Sequence, residues 1–324
     1  MFVRPAVADG VAYFGSCAGV YYAIDVRSGA IVWRYDFRPE VGAVSFHGNA
    51  LVTEGLVITP TDVMPAHVRA FDRHTGRTVW QRSGAWALTV TDVVGSGRLV
   101  VGRDEEGELI ALTADSGTPV WRASHLARRS GINVARSPAA VGSDIIYSAQ
   151  DDAVYRVDGA TGQPRWRTEI GCDVTTSVSV GEGEIYVGCS DGMLFRIRAA
   201  DGAELGRMTL GHPPEGRLLV VADRVVVPCG RGWIGAVTRS LDRLLWERHD
   251  LPPLSVVQPM QWGQCVLTGA RGQLIALSLA DGRTCWMTSL EGSVRGLGAT
   301  GDIVLVGTIE GAVYALRGLP EAPQ

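Results

Sequence analysis

The stretch Asp158-Gly159-Ala160-Thr161-Gly162-Gln163-Pro164-Arg165-Trp166 is a polar turn in which a glycine able to adopt positive φ precedes a tryptophan by four residues. The spacing Gly-x-x-x-Trp recurs at Gly29 and Trp33, Gly76 and Trp80, Gly117 and Trp121, and Gly282 and Trp286, with weaker copies at Gly202 and Gly206 and at Asp242 and Trp246. Successive tryptophan positions lie 47, 41, 45, 40, 40 and 40 residues apart. This period predicts the four-stranded blades of a β-propeller.

Each repeat unit is predicted to contain four antiparallel strands, A to D, joined by short turns. Short turns between strands A and B recur eight times, so we expect an all-β, eight-bladed propeller over residues 1–317 and a tail over residues 318–324. The sequence ends before a D strand of the last unit. The last blade is therefore expected to have three strands, with Ala312 to Leu316 as an open edge, or to be completed by another polypeptide through β-augmentation.

The repeats resemble the PQQ-like, quinoprotein-type, eight-bladed propeller family over essentially the whole chain. In that family the tryptophans pack between neighbouring blades, which implies structural docking roles for Trp33, Trp80, Trp121, Trp166, Trp246 and Trp286. The family includes quinone-dependent dehydrogenases and cofactor-free scaffolds, among them a lipoprotein that requires an export signal and a lipidated cysteine. The long alcohol dehydrogenases carry two adjacent cysteines against the quinone, and no two cysteines are adjacent here. The resemblance therefore implies a cofactor-free scaffold without bound PQQ.

Composition excludes some classes of function. The net charge is −4, and the acidic and basic residues are dispersed, so neither nucleic acid nor an anionic membrane is expected as a partner. All thirty basic residues are arginine, which removes lysine-based catalysis. The N-terminus shows neither an export signal nor a lipidation motif, and no apolar run is long enough to span a membrane. We expect a cytoplasmic monomer.

The more variable loops, B to C and D to A, are predicted to gather on one face of the ring, which favours this face for binding. The A strands would begin there around the mouth of the central channel, at Arg4, Asn49, Thr91, Arg136, Ser177, Arg217, Gln258 and Arg295. Four arginines at a narrow mouth would suit a carboxylate or phosphate, unless loop carboxylates such as Glu40 or Asp173 pair with them. Trp86 would either stack on a ligand or fill a gap beneath its loop.

No linear catalytic or metal motif is present. The histidines lack ligand spacing, so no metal site is predicted, and the six cysteines are interpreted as buried thiols in preference to disulfides. Three hypotheses remain for function. The first is a non-catalytic scaffold that binds a protein or an anionic small molecule. The second is a cofactor-independent cyclase, isomerase or lyase, with His47, His125, Asp62 and Glu40 as catalytic candidates, and the third is a PQQ-dependent dehydrogenase.

Overall fold

The computed structural model describes residues 4–16, 18–42, 44–46, 48–61, 65–88, 93–123, 136–149, 151–229, 232–254 and 258–320. These residues form an all-β propeller of antiparallel sheets, numbered here in chain order. Sheet 1 contains β1 (Ala6–Ala8), β2 (Val11–Gly15), β3 (Val20–Asp25) and β4 (Ile31–Asp36), followed by the helix α1 (Arg38–Val41). Sheet 2 contains β5 (Leu51–Val52), β6 (Leu56–Pro60), β7 (His67–Asp72) and β8 (Thr78–Ser83). Sheet 3 contains β9 (Val94–Ser96), β10 (Leu99–Arg103), β11 (Leu109–Thr113) and β12 (Pro119–Arg122).

The remaining strands continue the same order. Sheet 4 contains β13 (Ala139–Val141), β14 (Asp144–Ser148), β15 (Ala153–Asp158) and β16 (Pro164–Glu169). Sheet 5 contains β18 (Ser179–Gly181), β19 (Glu184–Gly188), β20 (Met193–Arg198) and β21 (Glu204–Thr209), and sheet 6 contains β23 (Leu219–Val220), β24 (Arg224–Cys229), β25 (Trp233–Thr238) and β26 (Leu244–Arg248). The short strands β17 (Thr176–Ser177) and β22 (Gly216–Arg217) pair in parallel between sheets 5 and 6.

Sheet 7 has five strands: β27 (Met260–Trp262), β28 (Cys265–Ser278), β29 (Thr284–Thr300), β30 (Ile303–Thr308) and β31 (Val313–Arg317). The prediction of eight blades is therefore wrong, because the described residues form seven blade-sized sheets, and so is the prediction of a three-stranded last blade. The ladder of sheet 7 is not interrupted where two separate blades were expected. Arg271 of β28 pairs with Ser293 of β29, and the next residue of β29, Val294, pairs with Thr308 of β30.

Central strands of the sheets are mostly buried, because neighbouring sheets cover both of their faces. In β10, for example, Val100 and Val101 are both fully buried although adjacent side chains point to opposite faces. Outermost strands are more exposed, as in β4, where the buried Trp33 lies between the exposed Val32 and Arg34. The core is therefore a series of layers between sheets rather than a single centre.

At five junctions between neighbouring sheets, a tryptophan of one sheet makes the same two contacts with the turn of the next sheet. The indole N–H of Trp33 donates to the backbone carbonyl of Arg73 at 2.8 Å, and the indole packs on Gly76. The same arrangement joins Trp80 to Ala114 and Gly117, Trp121 to Gly159 and Gly162, Trp166 to Ala199 and Gly202, and Trp246 to Leu279 and Gly282. Indole carbons lie 2.5 to 2.8 Å from the place a Cβ would take at these glycines, so a larger residue would collide with the ring.

The junction between sheets 5 and 6 lacks this tryptophan, since Gly206 occupies its position. A network centred on Glu184 replaces the indole. Its carboxylate accepts hydrogen bonds from Arg196 of the same sheet and from Arg239 of sheet 6, the latter at 3.0 Å. Burial raises the pKa of Glu184, but hydrogen bonds from Arg196, Tyr186 and Arg239 outweigh that effect and lower the pKa to about 2.

Candidate functional site

The loop face of the ring, defined here as the side that carries the B-to-C and D-to-A loops, holds the predicted channel mouth. The helix α1 lies in one of these loops, between β4 and β5. The opposite side carries only the short A-to-B and C-to-D turns and is called the turn face. This division follows from the alternating strand direction within each sheet.

Two of the predicted mouth residues, Arg4 and Asn49, come together. The backbone N–H of Arg4 donates to Asn49 Oδ1 at 2.8 Å, and the Arg4 side chain is exposed. Both residues line a cavity of about 260 Å³, together with the first residues of sheet 1 and with Gly298 and Ala299 of sheet 7. A guanidinium and a carboxamide at a small cavity offer hydrogen-bond donors to an anion.

A second group of predicted mouth residues lies across sheets 4 to 6. The backbone N–H of Ser137, next to Arg136, donates to Ser177 Oγ at 3.0 Å. Ser177 in turn is paired with Arg217 through the parallel strands β17 and β22. Arg136 is buried and forms an ion pair with Asp173, so its charge is compensated within the protein.

The other three predicted ligand residues have different surroundings. Gln258 is half-buried and precedes β27. Arg295 is half-buried in β29, and burial lowers its pKa while the Glu310 carboxylate acts in the opposite direction. Trp86 is half-buried, with the Arg122 guanidinium 5.0 Å from its ring centroid, so its face is already occupied by a cation.

Two charged residues behind the mouth, Arg103 and Asp104, were not identified as buried from the sequence. Arg103 is buried and donates to the backbone carbonyls of Arg136 at 3.0 Å, Gly107 at 2.8 Å and Ser148, and burial lowers its pKa to about 10. Asp104 is fully buried and pairs with Arg122 at 2.9 Å. Its burial keeps the Asp104 carboxylate away from the surface of the loop face.

The catalytic candidates are not assembled by the described residues. His47, His125 and Asp62 lie outside them. Glu40, in α1, pairs with the buried Arg69 of sheet 2 and accepts a hydrogen bond from Tyr35, and the hydrogen bond from Arg69 lowers the pKa of Glu40. The Glu40 carboxylate, bound by Arg69 and Tyr35, therefore anchors α1 to sheet 2. A carboxylate that accepts protons in catalysis would need a higher pKa than that of Glu40.

Two features of the loop face were missed. Cys172 and Cys189 form a disulfide that ties the loop after β16 to the end of β19, which corrects the interpretation of these cysteines as thiols. Of the described residues, Cys172, Cys189 and Asp191 are the one group with the spacing of metal ligands, and the disulfide consumes its two sulfurs.

The second missed feature is an aromatic patch on sheets 5 and 6, formed by His212, Trp233 and His249. The His212 ring centroid lies 5.4 Å from that of Trp233 and 5.7 Å from that of His249. Both histidines are exposed, and Trp233 beneath them donates to Glu247 at 3.2 Å. The sequence signal was available, because Trp233 lies outside the docking positions, but nothing in the sequence placed the histidines beside it.

Comparison with known proteins gives one family. The family model described as outer membrane protein assembly factor BamB matches residues 3–105, 64–286 and 230–319. The outer membrane protein assembly factor BamB of Burkholderia pseudomallei is 24% identical over 98% of this chain and 84% of its own length. For several other curated proteins of the same name, the match spans about half of their length.

Solved structures of other proteins have the same fold as this chain. The crystal structure of BamB from Moraxella catarrhalis superposes with a TM-score of 0.84 at 19% identity, covering 97% of this chain and 96% of that one. The quinohemoprotein alcohol dehydrogenase of Comamonas testosteroni is 27% identical, but only over 36% of this chain and 19% of its own length. The similarity to the dehydrogenases is thus distant.

These findings overturn the expectation of a cytoplasmic protein, because the matching family is named for the outer membrane. The expectation relied on the absence of a leader motif from the sequence. Within the described part of the chain, no helix has the length and apolar character needed to cross a bilayer.

Proposed function

We propose that this chain, which belongs to the family described as outer membrane protein assembly factor BamB, is a non-catalytic scaffold that binds a protein partner on its loop face. The family assignment carries the proposal, since its relatives are named as protein assembly factors. The fold supports it, because a rigid ring presents loops from several sheets side by side. The disulfide Cys172–Cys189 and the buried Arg103 hold parts of those loops in place before a partner arrives.

The loop face also offers chemistry suited to a protein surface. The patch of His212, Trp233 and His249 joins aromatic rings to the Glu247 carboxylate, which accepts from Trp233 and lies 3.3 Å from His249. Aromatic residues with a polar group are favoured in protein interfaces. We assign the centre of the binding surface to this patch.

Site-directed photocross-linking tests the proposal. A photoreactive amino acid is placed singly at exposed loop-face positions Asp191, His212 or His249, or at exposed turn-face positions Thr75 or Asp201. In an envelope extract, the same partner protein should be captured from the loop face and not from the turn face. Capture from the turn face alone, or equally from both, would contradict the proposal.

A second candidate is an anionic small molecule in the cavity beside Arg4 and Asn49, favoured by the exposed guanidinium at a cavity of about 260 Å³. Arg136 is not part of this site, because Asp173 compensates its charge. Arg4→Ala should abolish binding of inorganic phosphate or citrate while leaving the melting temperature nearly unchanged, whereas Arg217→Ala, at a residue that does not line this cavity, should leave binding unchanged. Calorimetric titration and thermal unfolding measure both quantities, and a loss of stability in Arg4→Ala as large as its loss of binding would assign Arg4 to the fold.

A further inference from the structure

Sheet 7 brings the sulfur atoms of two cysteines into contact. Cys265 is the first residue of β28, and Cys285 is the second residue of β29. Their Sγ atoms lie 2.9 Å apart. The bond in a disulfide is about 2.0 Å long, so a closure of roughly 0.9 Å would join the two sulfurs.

The strand register explains why these side chains meet. Cys265 pairs with Trp262 across an A-to-B turn. Cys285 lies between Thr284 and Trp286, which pair with adjacent residues of β28, so Cys285 is the extra residue of a β-bulge. Both cysteines therefore lie at the turn-face end of sheet 7.

Sheet 4 shows that the same two positions face each other elsewhere in the ring. Asp144 is the first residue of β14 and pairs with Val141 across its A-to-B turn. Arg165 is the bulge residue that precedes Trp166. Arg165 Nε lies 2.7 Å from Asp144 Oδ2, so this sheet joins the two positions by an ion pair. Sheet 7 places two thiols at the same positions.

The fold does not require sulfur at these positions. In sheets 1 to 3 the first residue of the B strand and the residue before the docking tryptophan are both apolar. These pairs are Val11 with Val32, Leu56 with Val79, and Leu99 with Val120. The chemistry that distinguishes the pair in sheet 7 is therefore that of thiols, which can be oxidised to a disulfide.

The two thiols differ in their access to solvent. Cys265 is fully buried, and burial raises the pKa of its thiol. Cys285 is half-buried in a strand where Thr284 and Met287 are exposed. A reagent from solvent therefore meets the sulfur of Cys285 before that of Cys265.

The same chain already contains one disulfide, Cys172–Cys189. Disulfides form and persist in oxidising surroundings, where a second pair of neighbouring thiols meets the same oxidants. Cys229 provides a contrast within the molecule, because it is buried in β24 and its sulfur contacts the backbone carbonyl of His212 at 3.7 Å.

We propose that Cys265 and Cys285 are a redox-active pair that a disulfide oxidant converts into a second disulfide. The Cys285 thiolate attacks one sulfur of the oxidant, forms a mixed disulfide and releases the first oxidant thiolate. Cys265 then loses its proton and attacks Cys285 Sγ, which releases the second oxidant thiolate. The cysteine pair loses two electrons, the oxidant gains them, and the two released thiolates take up the two protons. This inference goes beyond the proposed function, since the pair lies on the turn face.

Peptide mapping without reduction tests the proposal. The purified chain is reduced, freed of reductant, incubated with oxidised glutathione, denatured in the presence of N-ethylmaleimide and digested with trypsin. Cleavage after arginine places Cys265 in the peptide 249–271 and Cys285 in the peptide 284–295. We expect one cross-linked species that is two hydrogens lighter than the sum of these peptides.

Two other peptides of the same digest are internal controls. The peptide 168–196 holds both Cys172 and Cys189 and reports the disulfide already present, whereas the peptide 225–231 holds Cys229 and should carry the maleimide. The inference is overturned if 168–196 is internally cross-linked while Cys265 and Cys285 both carry maleimide. A glutathione adduct on 284–295 that never resolves into the cross-linked species would also overturn it.

A matched pair of variants tests the order of attack. Cys265→Ser should accumulate at least tenfold more glutathione adduct on Cys285 than wild type does, because no second thiol resolves the mixed disulfide. Cys285→Ser should leave Cys265 without glutathione in the folded protein, because that sulfur is fully buried. Comparable adducts in the two variants would overturn the assignment of Cys285 as the attacking thiol. The peptide map uses the wild-type chain, so it decides the proposal even where a variant fails to fold.

Discussion

The junction between sheets 1 and 2 and the junction between sheets 7 and 1 each contain a turn glycine with positive φ, but they differ in what packs on that glycine. At the first, Trp33 packs on Gly76 and donates to Arg73. At the second, Gly29 adopts the same backbone conformation, and no heavy atom of the described residues lies within 4 Å of the place a Cβ would take there. The difference shows that a repeat can form its turn without its indole. The turn conformation therefore does not depend on the indole, which instead adds packing and a hydrogen bond between neighbouring sheets.

The largest expected effect is the loss of stability when one junction tryptophan is removed. Trp121 is buried, packs on Gly162 and donates to the carbonyl of Gly159. Trp121→Ala should lower the free energy of unfolding by roughly 3–5 kcal/mol, as for other large buried aromatic residues. Denaturant unfolding measures the loss. A loss below about 1 kcal/mol would show that the indoles do not hold the sheets together.

A matched pair of glycine variants compares the two junctions directly. Gly29→Ala should cost about 1–2 kcal/mol, because alanine disfavours positive φ. Gly76→Ala carries the same backbone penalty, and its Cβ would also stand 2.6 Å from the Trp33 ring, which adds about 1–3 kcal/mol. Thermal and denaturant unfolding of both variants give the difference. Equal losses would mean that the junction at Gly29 is as tightly packed as the one at Gly76.

The smallest effect concerns the junction that uses a carboxylate in place of an indole. The pKa of Glu184 in the folded protein, about 2, is below its ordinary value, so its contribution to stability is present above about pH 4.5 and is lost as the pH falls towards 2. We expect wild type to exceed Glu184→Gln in stability by on the order of 1 kcal/mol at neutral pH, since the carboxylate is partly exposed. The gap should close on acidification.

Unfolding curves at several pH values test this third junction. Glu204→Gln serves as the control, because Glu204 pairs with Arg207 of its own strand and joins no two sheets. A gap between wild type and Glu184→Gln that does not change with pH would assign its effect to packing rather than to charge.

The sequence predicted the propeller architecture because the turn glycine and the tryptophan are local signals at fixed spacing. It did not predict the number of sheets, since the continuity of β28 and β29 depends on hydrogen bonds between Arg271 and Ser293 and between Val294 and Thr308, which have no local signature. The spacing predicts eight A-to-B turns, but it does not show which of these turns belong to separate sheets.

The candidate site was predicted less completely than the fold. Strand starts indicated that Arg4 and Asn49 meet, but the pairing of Arg136 with Asp173 depends on a loop from another sheet. The disulfide was hidden for a similar reason. Cys189 shares its position with Cys17 and Cys229, whereas its partner Cys172 lies in the preceding loop.

The most direct measurement of the difference between the two junctions is a pair of double-mutant cycles. Trp33→Ala is combined with Gly76→Ala in one cycle and with Gly29→Ala in the other, and each variant is unfolded with denaturant. Trp33 packs on Gly76, whereas no heavy atom of the described residues lies within 4 Å of the place a Cβ would take at Gly29, so the losses should be non-additive in the first cycle and additive in the second. Additive losses in both cycles would contradict the packing of the indole on the turn glycine as the source of the difference.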